Sequence, residues 1–443
     1  MSENFDLIVA GGEVFTPSGL IKTDIGVREG RIAKFGNLSS ASAAQTLNAT
    51  GLTILPGAID SQVHFREPGL EHKEDIAHGS KAAVKGGVTS FFEMPNTSPL
   101  TLWKDTLEDK LARSKGRAWC DHAYFVGGSE ENADHLAELE LLPGCAGVKV
   151  FMGSSTGSLL ADKDEVLARI LANGKRRVAV HAEDEEILKS RQQIAIDGAH
   201  PRVHPEWRSV EAALTATKRI VNLGRAAGRP VHVLHITSAE EMAYLAEHKD
   251  VATVETTLNH LTMAAPDCYE EKGSLAQMNP PVRDAGHRDA LWQAISDGVV
   301  DVIGSDHAPH TLEEKDRPYP SSPSGMPGVQ TLLPLLLDHF NQGRLTLERL
   351  VDLTAYGPHR IFGIAKKGRI ALGWDADLVA VDLKAKRTIT NDWIASKCGW
   401  TPFDGKEVTG WPMATFVRGN IVMRDDEVLG DPLGEPVRFW STL

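Results

Sequence analysis

The chain has 443 residues, 42% of them hydrophobic and 24% charged, which suits one large domain with an appendage or two to three ordinary domains. Its 47 basic and 60 acidic residues give a formal net charge of −13, which argues against nucleic acid or an anionic membrane as the main partner. The four cysteines form no CxxC pair, so neither a disulfide framework nor a cysteine zinc knuckle organises the fold. Without a signal-peptide pattern or a run of about 20 apolar residues, we expect a cytoplasmic protein.

The first part of the chain, residues 1–55, contains short β-like runs broken by Gly11-Gly12 and Glu29-Gly30 turns. This pattern is typical of a small antiparallel sheet. The predicted strands are Leu7–Ala10, Asp24–Val27 and Arg31–Phe35.

The middle of the chain alternates apolar strand-like runs with helix-patterned segments, as the βα units of a parallel sheet do. Eight strand candidates occur, which is the number that closes a (β/α)₈ TIM barrel, and we place this domain at residues 56–365. An open doubly wound sheet is the competing architecture, but no GxGxxG or GxxxxGK[ST] motif supports nucleotide binding there. The candidates are centred on Ile54-Leu55, Ser90–Phe92, Ala123–Phe125, Val148–Val150, Val178–Val180, His232–Leu234, Thr253–Glu255 and Val300–Ile303, with helices predicted over 102–115, 162–172, 206–227, 239–248 and 286–297.

The last part, residues 366–443, is again rich in β-like runs. Two such ends around a different middle predict one small β-sandwich domain assembled from both termini. The predicted strands are Gly368–Ile370, Asp377–Val381 and Thr415–Val422.

The candidate functional residues follow the predicted barrel strands, because the active site of such a barrel lies at the C-terminal ends of its strands. Gln62 and His64 follow the first strand at a spacing of two, which points both to one side of an extended chain. His181 and His235 end the fifth and sixth strands, and Asp306 follows the eighth. One such histidine alone is more often a hydrogen-bonded structural residue, but converging imidazoles with a carboxylate are what Zn²⁺ or a similar divalent ion requires.

Lys149 lies in the fourth strand between Val148 and Val150, which should face the helices. The lysine then points into the barrel, where an unpaired ammonium is costly. One interpretation is a salt bridge to a carboxylate such as Asp306 or Glu183. The other is a carbamate, formed from the neutral amine and CO₂, whose anionic oxygens bridge two metal ions. The position alone leaves both interpretations open.

Arg66, Asn96 and His310 have no obvious metal role. A planar guanidinium with amide and imidazole donors beside it suits a substrate carboxylate, although a salt bridge from Arg66 to Glu67 is the simpler alternative. The Gly-, Pro- and Ser-rich segment Pro318–Gly328 predicts a loop able to close over the site.

At these residues the sequence resembles the amidohydrolase superfamily and, within it, the dihydroorotases. The resemblance runs in order along essentially the whole chain, and the arginine-bearing first motif and the last motif are its most specific parts. It rests on His64-Phe65-Arg66-Glu67-Pro68-Gly69, Glu93-Met94-Pro95-Asn96-Thr97, Val148-Lys149-Val150-Phe151, His181-Ala182-Glu183, His235-Ile236-Thr237-Ser238 and Ser305-Asp306-His307-Ala308-Pro309-His310.

The resemblance implies reversible hydrolysis of dihydroorotate to N-carbamoyl-L-aspartate in pyrimidine synthesis, with one or two Zn²⁺ ions per subunit. It implies that His64, His181, His235 and Asp306 are metal ligands and that Lys149 is the carboxylated bridge. Asp306 would also carry the proton between the attacking water and the departing ring nitrogen. It further implies a homodimer or homotetramer and an association with aspartate transcarbamoylase. The implied substrate contacts are Arg66, Asn96 and His310 for the carboxylate and Asn279 for the ring.

Gln62 departs from the resemblance, because the first motif of the family normally reads His-x-His. An amide oxygen is a weaker ligand for Zn²⁺ than an imidazole, so we expect a second metal ion to be held more weakly than the first. Two other functions stay open. One is an allantoinase or a related enzyme that opens cyclic ureides, such as a hydantoinase. The other is a non-catalytic relative that has lost its metals and serves as a structural partner of aspartate transcarbamoylase.

Overall fold

The N-terminal segment forms strands that are divided between two sheets. The structure is a computed structural model that describes residues 4–155, 158–196 and 198–443, so the first three residues of the predicted N-terminal segment lie outside it. In chain order the strands are β1 (Asn4–Ala10), β2 (Glu13–Thr16), β3 (Gly19–Lys22), β4 (Asp24–Arg28), β5 (Arg31–Gly36), β6 (Ser42–Asn48) and β7 (Thr53–Pro56).

The middle of the chain forms a parallel sheet that is nearly closed into a barrel. Among the described residues, eight strands lie side by side in the order of the chain. Val63, at the end of the first, bridges to His307 beyond the last, which brings the two edges together. Most of these strands are buried along their whole length, as expected when helices cover one face and the barrel interior the other. They are β8 (Ala58–Val63), β9 (Val88–Glu93), β10 (Asp121–Gly127), β11 (Cys145–Phe151), β12 (Val178–His181), β13 (Val231–Val233), β14 (Ala252–Thr257) and β15 (Val302–Gly304).

Helices surround the barrel, and their ends carry local signals. The side chain of Ser209 accepts the amide hydrogen of Ala212 at the start of the longest helix, which ends at Gly228 in the left-handed conformation (φ 64°). No helix of the described residues is long and apolar enough to cross a membrane. The helices are α1 (Ile76–Lys85), α2 (Lys104–Ser114), α3 (Leu136–Leu139), α4 (Asp164–Ala172), α5 (Glu185–Ser190), α6 (His204–Trp207), α7 (Val210–Ala227), α8 (Ala239–Ala246), α9 (Leu258–Thr262), α10 (Asp267–Lys272), α11 (Ala285–Ser296), α12 (Leu312–Lys315), α13 (Leu332–Asn341), α14 (Leu347–Val351) and α15 (Gly357–Phe362).

The C-terminal segment completes a sheet begun by the N-terminal one. Strand β16 runs antiparallel to β7, with Leu378 opposite Pro56. In the described residues this sheet has the order β19-β18-β17-β16-β7-β2-β3, and a second sheet has the order β5-β4-β1-β6. Leu7 and Val27 of the second sheet share one hydrophobic cluster with Ile54 and Phe416 of the first, which confirms the predicted sandwich from both termini. The strands are β16 (Leu378–Thr388), β17 (Glu407–Val417), β18 (Asn420–Arg424) and β19 (Glu427–Val428).

Three strand predictions were wrong in detail. The first barrel strand is Ala58–Val63, whereas Ile54-Leu55 belong to β7 of the sandwich; two apolar runs meet here, and only tertiary pairing separates them. The predicted strand Thr415–Val422 is a hairpin, because Arg418 and Gly419 both adopt positive φ (44° and 75°) and turn the chain. Gly368–Ile370 is irregular rather than a strand.

Candidate active site at the mouth of the barrel

The predicted functional residues converge at the C-terminal end of the barrel. Eight of them line one narrow cavity, together with Phe151, Ser155, Ala308, Ser324 and Gly325. Of the remaining two, Lys149 is buried in β11 and His310 lies against Arg66. The eight are Gln62, His64, Arg66, Asn96, His181, His235, Asn279 and Asp306.

Three of these residues adopt a backbone conformation that side chains other than glycine rarely take. Arg66, His235 and Asp306 have φ values of 63°, 39° and 45°. Each follows the end of a barrel strand, where the chain turns out of the sheet. Such conformations persist where the surrounding structure enforces them, and they cluster at functional sites.

His181 and His235 form the best-organised pair of the site. Nδ1 of His181 and Nε2 of His235 are 3.0 Å apart. The other nitrogen of His181, Nε2, lies 2.9 Å from a carboxylate oxygen of Glu183 and donates its hydrogen there. The lone pair of His181 Nδ1 is therefore directed at His235, where a cation between the two rings would bind.

Glu183 is held in this position by Arg208, a residue that the sequence analysis did not single out. The guanidinium donates to both carboxylate oxygens, the shortest contact being 2.5 Å, and all these side chains are buried. Burial acts to raise the pKa of Glu183, but Arg208 and His181 outweigh it and hold that pKa below its usual range. Glu183 stays ionised and fixes the tautomer of His181.

His64, Asp306 and Gln62 form a second group across the cavity. His64 Nε2 lies 3.3 Å from Oδ1 of Asp306, and His64 Nδ1 lies 2.8 Å from Oδ1 of Asn96. Burial acts to raise the pKa of Asp306, but His64, His235 and Lys149 hold it below its usual range. Gln62 turns its amide nitrogen to the same Asp306 oxygen at 3.1 Å, and its own Oε1 is buried without a partner.

The residues divide into the pair His181 and His235 and the group of His64, Asp306 and Gln62, rather than forming one tight cluster. Within the described residues, three or more His, Cys, Asp or Glu side chains nowhere gather into a group that would hold a metal by itself. The donor set nevertheless fits a metal. The imidazole nitrogens of His181 and His235 face each other, and an imidazole nitrogen of His64 faces the carboxylate of Asp306. Burial lowers the pKa of His64 and of His181, which keeps both rings neutral and able to bind a cation.

Lys149 lies in β11 with its ammonium nitrogen 4.4 Å from the ring centre of Phe151. The predicted salt bridge to Asp306 or Glu183 is absent from the described residues, since these carboxylates pair with His64 and Arg208. Burial lowers the pKa of Lys149 to about 7, even though Asp306 and Glu255 act to raise it. A neutral amine is therefore accessible at this position near neutral pH.

Arg66 is a buried cation without a carboxylate partner among the described residues. Its alternative partner, Glu67, pairs with Arg113 and Arg117 instead. The Nε of Arg66 donates to the carbonyl of Pro309, while its Nη1 is buried without any partner. The guanidinium thus presents an unused donor at the cavity.

His310 is positioned beside Arg66 by two further contacts. Lys73 Nζ lies 3.1 Å from its Nδ1 and donates there, so the ring hydrogen sits on Nε2, 3.0 Å from the carbonyl of Ser324. Nη2 of Arg66 lies 3.3 Å from the same Nε2, and because both groups are then donors this contact is not a hydrogen bond. Burial and the nearby cations Arg66 and Lys73 lower the pKa of His310 well below its usual value. The His310 ring is therefore neutral and adds no positive charge beside Arg66.

The barrel with histidines, a lysine and an aspartate at its strand ends defines a class of enzyme. Residues 53–422 match the model of the amidohydrolase family, and the chain belongs to that family. It is an enzyme, and members of this family are generally metal-dependent.

The chain is similar over most of its length to curated proteins named as dihydroorotases. One from Halobacterium salinarum is 38% identical over 383 residues, covering 85% of this chain and 87% of that protein. One from Pyrococcus abyssi is 35% identical over 434 residues, covering 97% and 98%. An allantoinase from Solibacter usitatus is 34% identical over 450 residues, covering 98% and 97%. Among solved structures, the L-hydantoinase from Arthrobacter aurescens superposes with a TM-score of 0.93 at 30% identity, covering 98% and 99%.

Proposed function

We propose that the protein is a dihydroorotase, which reversibly hydrolyses the ring amide bond of (S)-dihydroorotate to give N-carbamoyl-L-aspartate. The observation that carries this proposal is the buried guanidinium of Arg66, whose Nη1 has no partner in the described part of the chain. A buried cation without a counter-ion is costly, and a substrate carboxylate would supply that counter-ion. Dihydroorotate carries such a carboxylate on its ring, whereas the ring of allantoin or of an unsubstituted hydantoin does not.

In this proposal Arg66, Asn96 and His310 bind the carboxylate and Asn279 contacts the ring. Asp306 accepts a proton from the attacking water and gives it to the ring nitrogen as the carbon–nitrogen bond breaks. The lowered pKa of Asp306 keeps it ionised and ready to accept that proton at neutral pH.

The proposal includes a divalent metal, with Zn²⁺ as the expected ion. His181 and His235 would hold one ion, His64 and Asp306 would contribute to a second, and Lys149 as a carbamate would bridge them. A metal bound there supplies Lewis-acid activation of water and of the ring carbonyl. The lowered pKa of Lys149 favours the amine that reacts with CO₂, and no described carboxylate forms an ion pair with its nitrogen.

An allantoinase is the second candidate, favoured by the similarity to the Solibacter usitatus protein. A non-catalytic partner of aspartate transcarbamoylase is less well supported, since Gln62 is the only departure in the predicted ligand set.

Four further expectations from the sequence remain predictions. They are assembly as a homodimer or homotetramer, association with aspartate transcarbamoylase, a cytoplasmic location, and the domain limits 1–55, 56–365 and 366–443.

The test is ring opening by the purified protein, with its metal content measured on the same sample. We expect hydrolysis of L-dihydroorotate and none of allantoin. Arg66→Lys is the matched variant, because lysine keeps the charge but loses the planar two-donor geometry, so KM for dihydroorotate should rise by roughly tenfold or more. Comparable rates on both rings, or activity on allantoin alone, would contradict the assignment.

A further inference from the structure

His204 is a buried histidine next to the candidate active site that neither the metal nor the carboxylate positions use. It begins the short helix α6 and is fully buried. Its Nδ1 lies 3.1 Å from the hydroxyl oxygen of Tyr319. Its Nε2 lies 3.2 Å from the carbonyl oxygen of Met278 and 2.9 Å from the side-chain oxygen of Asn279.

The hydrogen of His204 can be placed from these contacts alone. A backbone carbonyl can only accept, so Met278 requires that Nε2 carry the hydrogen. The other nitrogen, Nδ1, is then an acceptor and receives the hydroxyl hydrogen of Tyr319. Burial lowers the pKa of His204 to about 3, so the ring is neutral and holds this one hydrogen.

The position of this hydrogen fixes the orientation of the Asn279 amide. If the amide were turned over, its NH₂ group would face the Nε2 hydrogen of His204, and two donors would oppose each other. With Oδ1 directed at His204, the NH₂ group is directed toward Ser155, whose hydroxyl oxygen lies 3.5 Å away. Ser155 and Asn279 both line the cavity. Asn279 therefore offers a hydrogen-bond donor to whatever occupies it.

Tyr319 brings the loop Pro318–Gly328 into this arrangement. Its side chain is 4% exposed, and Ser324 of the same loop lines the cavity. The hydroxyl of Ser324 also lies 3.5 Å from His204 Nε2. One histidine thus contacts both a loop that lines the cavity and the Asn279 amide that also lines it.

We propose that His204 is a positioning residue that, together with Tyr319, orients the Asn279 amide so that it donates to a carbonyl oxygen of the substrate ring. This inference rests on the proposed function, because it assigns an atom of the cyclic substrate to Asn279. His204 does not touch the substrate and acts through Asn279.

Two substitutions of His204 separate its two contacts. In His204→Gln the amide nitrogen can occupy the place of Nε2 and still donate to Asn279. In His204→Asn the shorter side chain reaches only the place of Nδ1, so the contact with Tyr319 is kept and the donor to Asn279 is lost. We expect His204→Asn to raise KM by roughly tenfold or more with a smaller change in kcat, and His204→Gln to keep KM within about threefold of the parent.

Tyr319→Phe removes only the hydroxyl, and we expect a rise in KM smaller than that of His204→Asn. The matched control is Tyr124→Phe, which removes the hydroxyl of another buried tyrosine, bonded to Ser114 between β10 and α2. It should leave KM within about twofold of the parent. Thermal unfolding of every variant measures how much each substitution changes the stability of the fold.

A double-mutant cycle with Asn279→Leu tests whether His204 acts through Asn279. If it does, adding His204→Asn to Asn279→Leu raises KM no further, whereas independent effects on the fold would multiply. Equal KM values for His204→Asn and His204→Gln, or multiplied effects in the cycle, would overturn the inference. The assays use whichever of dihydroorotate, allantoin and dihydrouracil the parent hydrolyses fastest, so a wrong substrate assignment appears in the parent and leaves the His204 test intact.

Discussion

At the scale of single residues, the site keeps the buried carboxylate of Asp306 charged, as it does that of Glu183. The neighbours of Asp306 are neutral histidines, the amide of Gln62 and Lys149. Burial lowers the pKa of His64 and of His235, so both rings stay neutral beside it. We expect the ionised Asp306 to be the group that accepts and returns a proton in the proposed reaction.

We expect Asp306→Asn to reduce turnover by roughly 10²-fold or more while the protein stays folded, because an amide cannot act as the base. The variant also removes a negative charge that would balance a bound metal. Steady-state kinetics beside a thermal unfolding curve check this. Activity within tenfold of the parent would exclude the proposed role of Asp306.

We expect Gln62 to weaken the binding of a second metal ion. Its amide nitrogen, rather than its oxygen, faces Asp306, and no described residue forms a hydrogen bond with its buried Oε1. A neutral amide is a weaker ligand for Zn²⁺ than an imidazole. We expect the parent to bind one ion tightly and a second weakly, and Gln62→His to bind both at similar affinity. Metal titration by calorimetry measures this, and equal, stoichiometric binding of two ions in both proteins would show that Gln62 has no such role.

At the scale of elements, hydrogen bonds from the buried side chain of Lys315 hold the loop Pro318–Gly328 in place. Lys315 is almost fully buried at the end of α12, and its Nζ donates to the carbonyl oxygens of Pro323, Gly325 and Gln277 at 2.8, 3.0 and 3.3 Å. Three acceptors match the three hydrogens of an ammonium group. This contact holds Gly325, which packs against His310 and lines the same cavity as Arg66.

Burial lowers the pKa of Lys315 from 10.5 to about 7. Between these values the unfolded chain keeps a proton on this lysine that the folded chain releases, so the free energy of unfolding rises with pH. We expect Lys315→Met to destabilise the protein by about 2 kcal/mol, since three buried carbonyls lose their donor. The difference in stability between parent and variant should grow as pH rises from 7 toward 10. Urea unfolding at several pH values checks this, and a difference that stays constant or shrinks would contradict it.

At the scale of the whole molecule, the sequence predicted what regular periodicity controls and missed what tertiary packing brings together. The strand-end residues could be found because buried strands alternate with helices and the barrel gathers their C-terminal ends. Glu183 could also have been assigned, since it stands two residues after His181, the same spacing that links Gln62 and His64. No local pattern marks Arg208 or His204, which reach the site from the segment around α6, outside the barrel strands.

The junction between barrel and sandwich depends on a buried ion cluster that no sequence pattern indicated. Lys367 lies 2.6 Å from Asp377 and 3.3 Å from Asp375 of the C-terminal segment, and it also pairs with Asp121 at the start of barrel strand β10. All four side chains are buried, so the carboxylates depend on the cations beside them rather than on water.

Lys367→Met removes the cation that these three carboxylates share. Asp121 keeps its ion pair with Arg418, whereas Asp377 loses its cation and becomes an uncompensated charge in the interior. We expect the free energy of unfolding to fall by about 3–5 kcal/mol, with little change in KM because the cluster lies at the opposite end of β10 from the candidate site.

The matched control is Lys104→Met, which breaks an exposed ion pair with Glu108 and should change stability by about 0.5 kcal/mol or less. Urea unfolding measures both. Protonation would neutralise the carboxylates that have lost the Lys367 cation. The loss in free energy of unfolding caused by Lys367→Met should therefore become smaller as the pH is lowered toward 4. Equal stability of the two variants at neutral pH would show that the junction does not depend on this cluster.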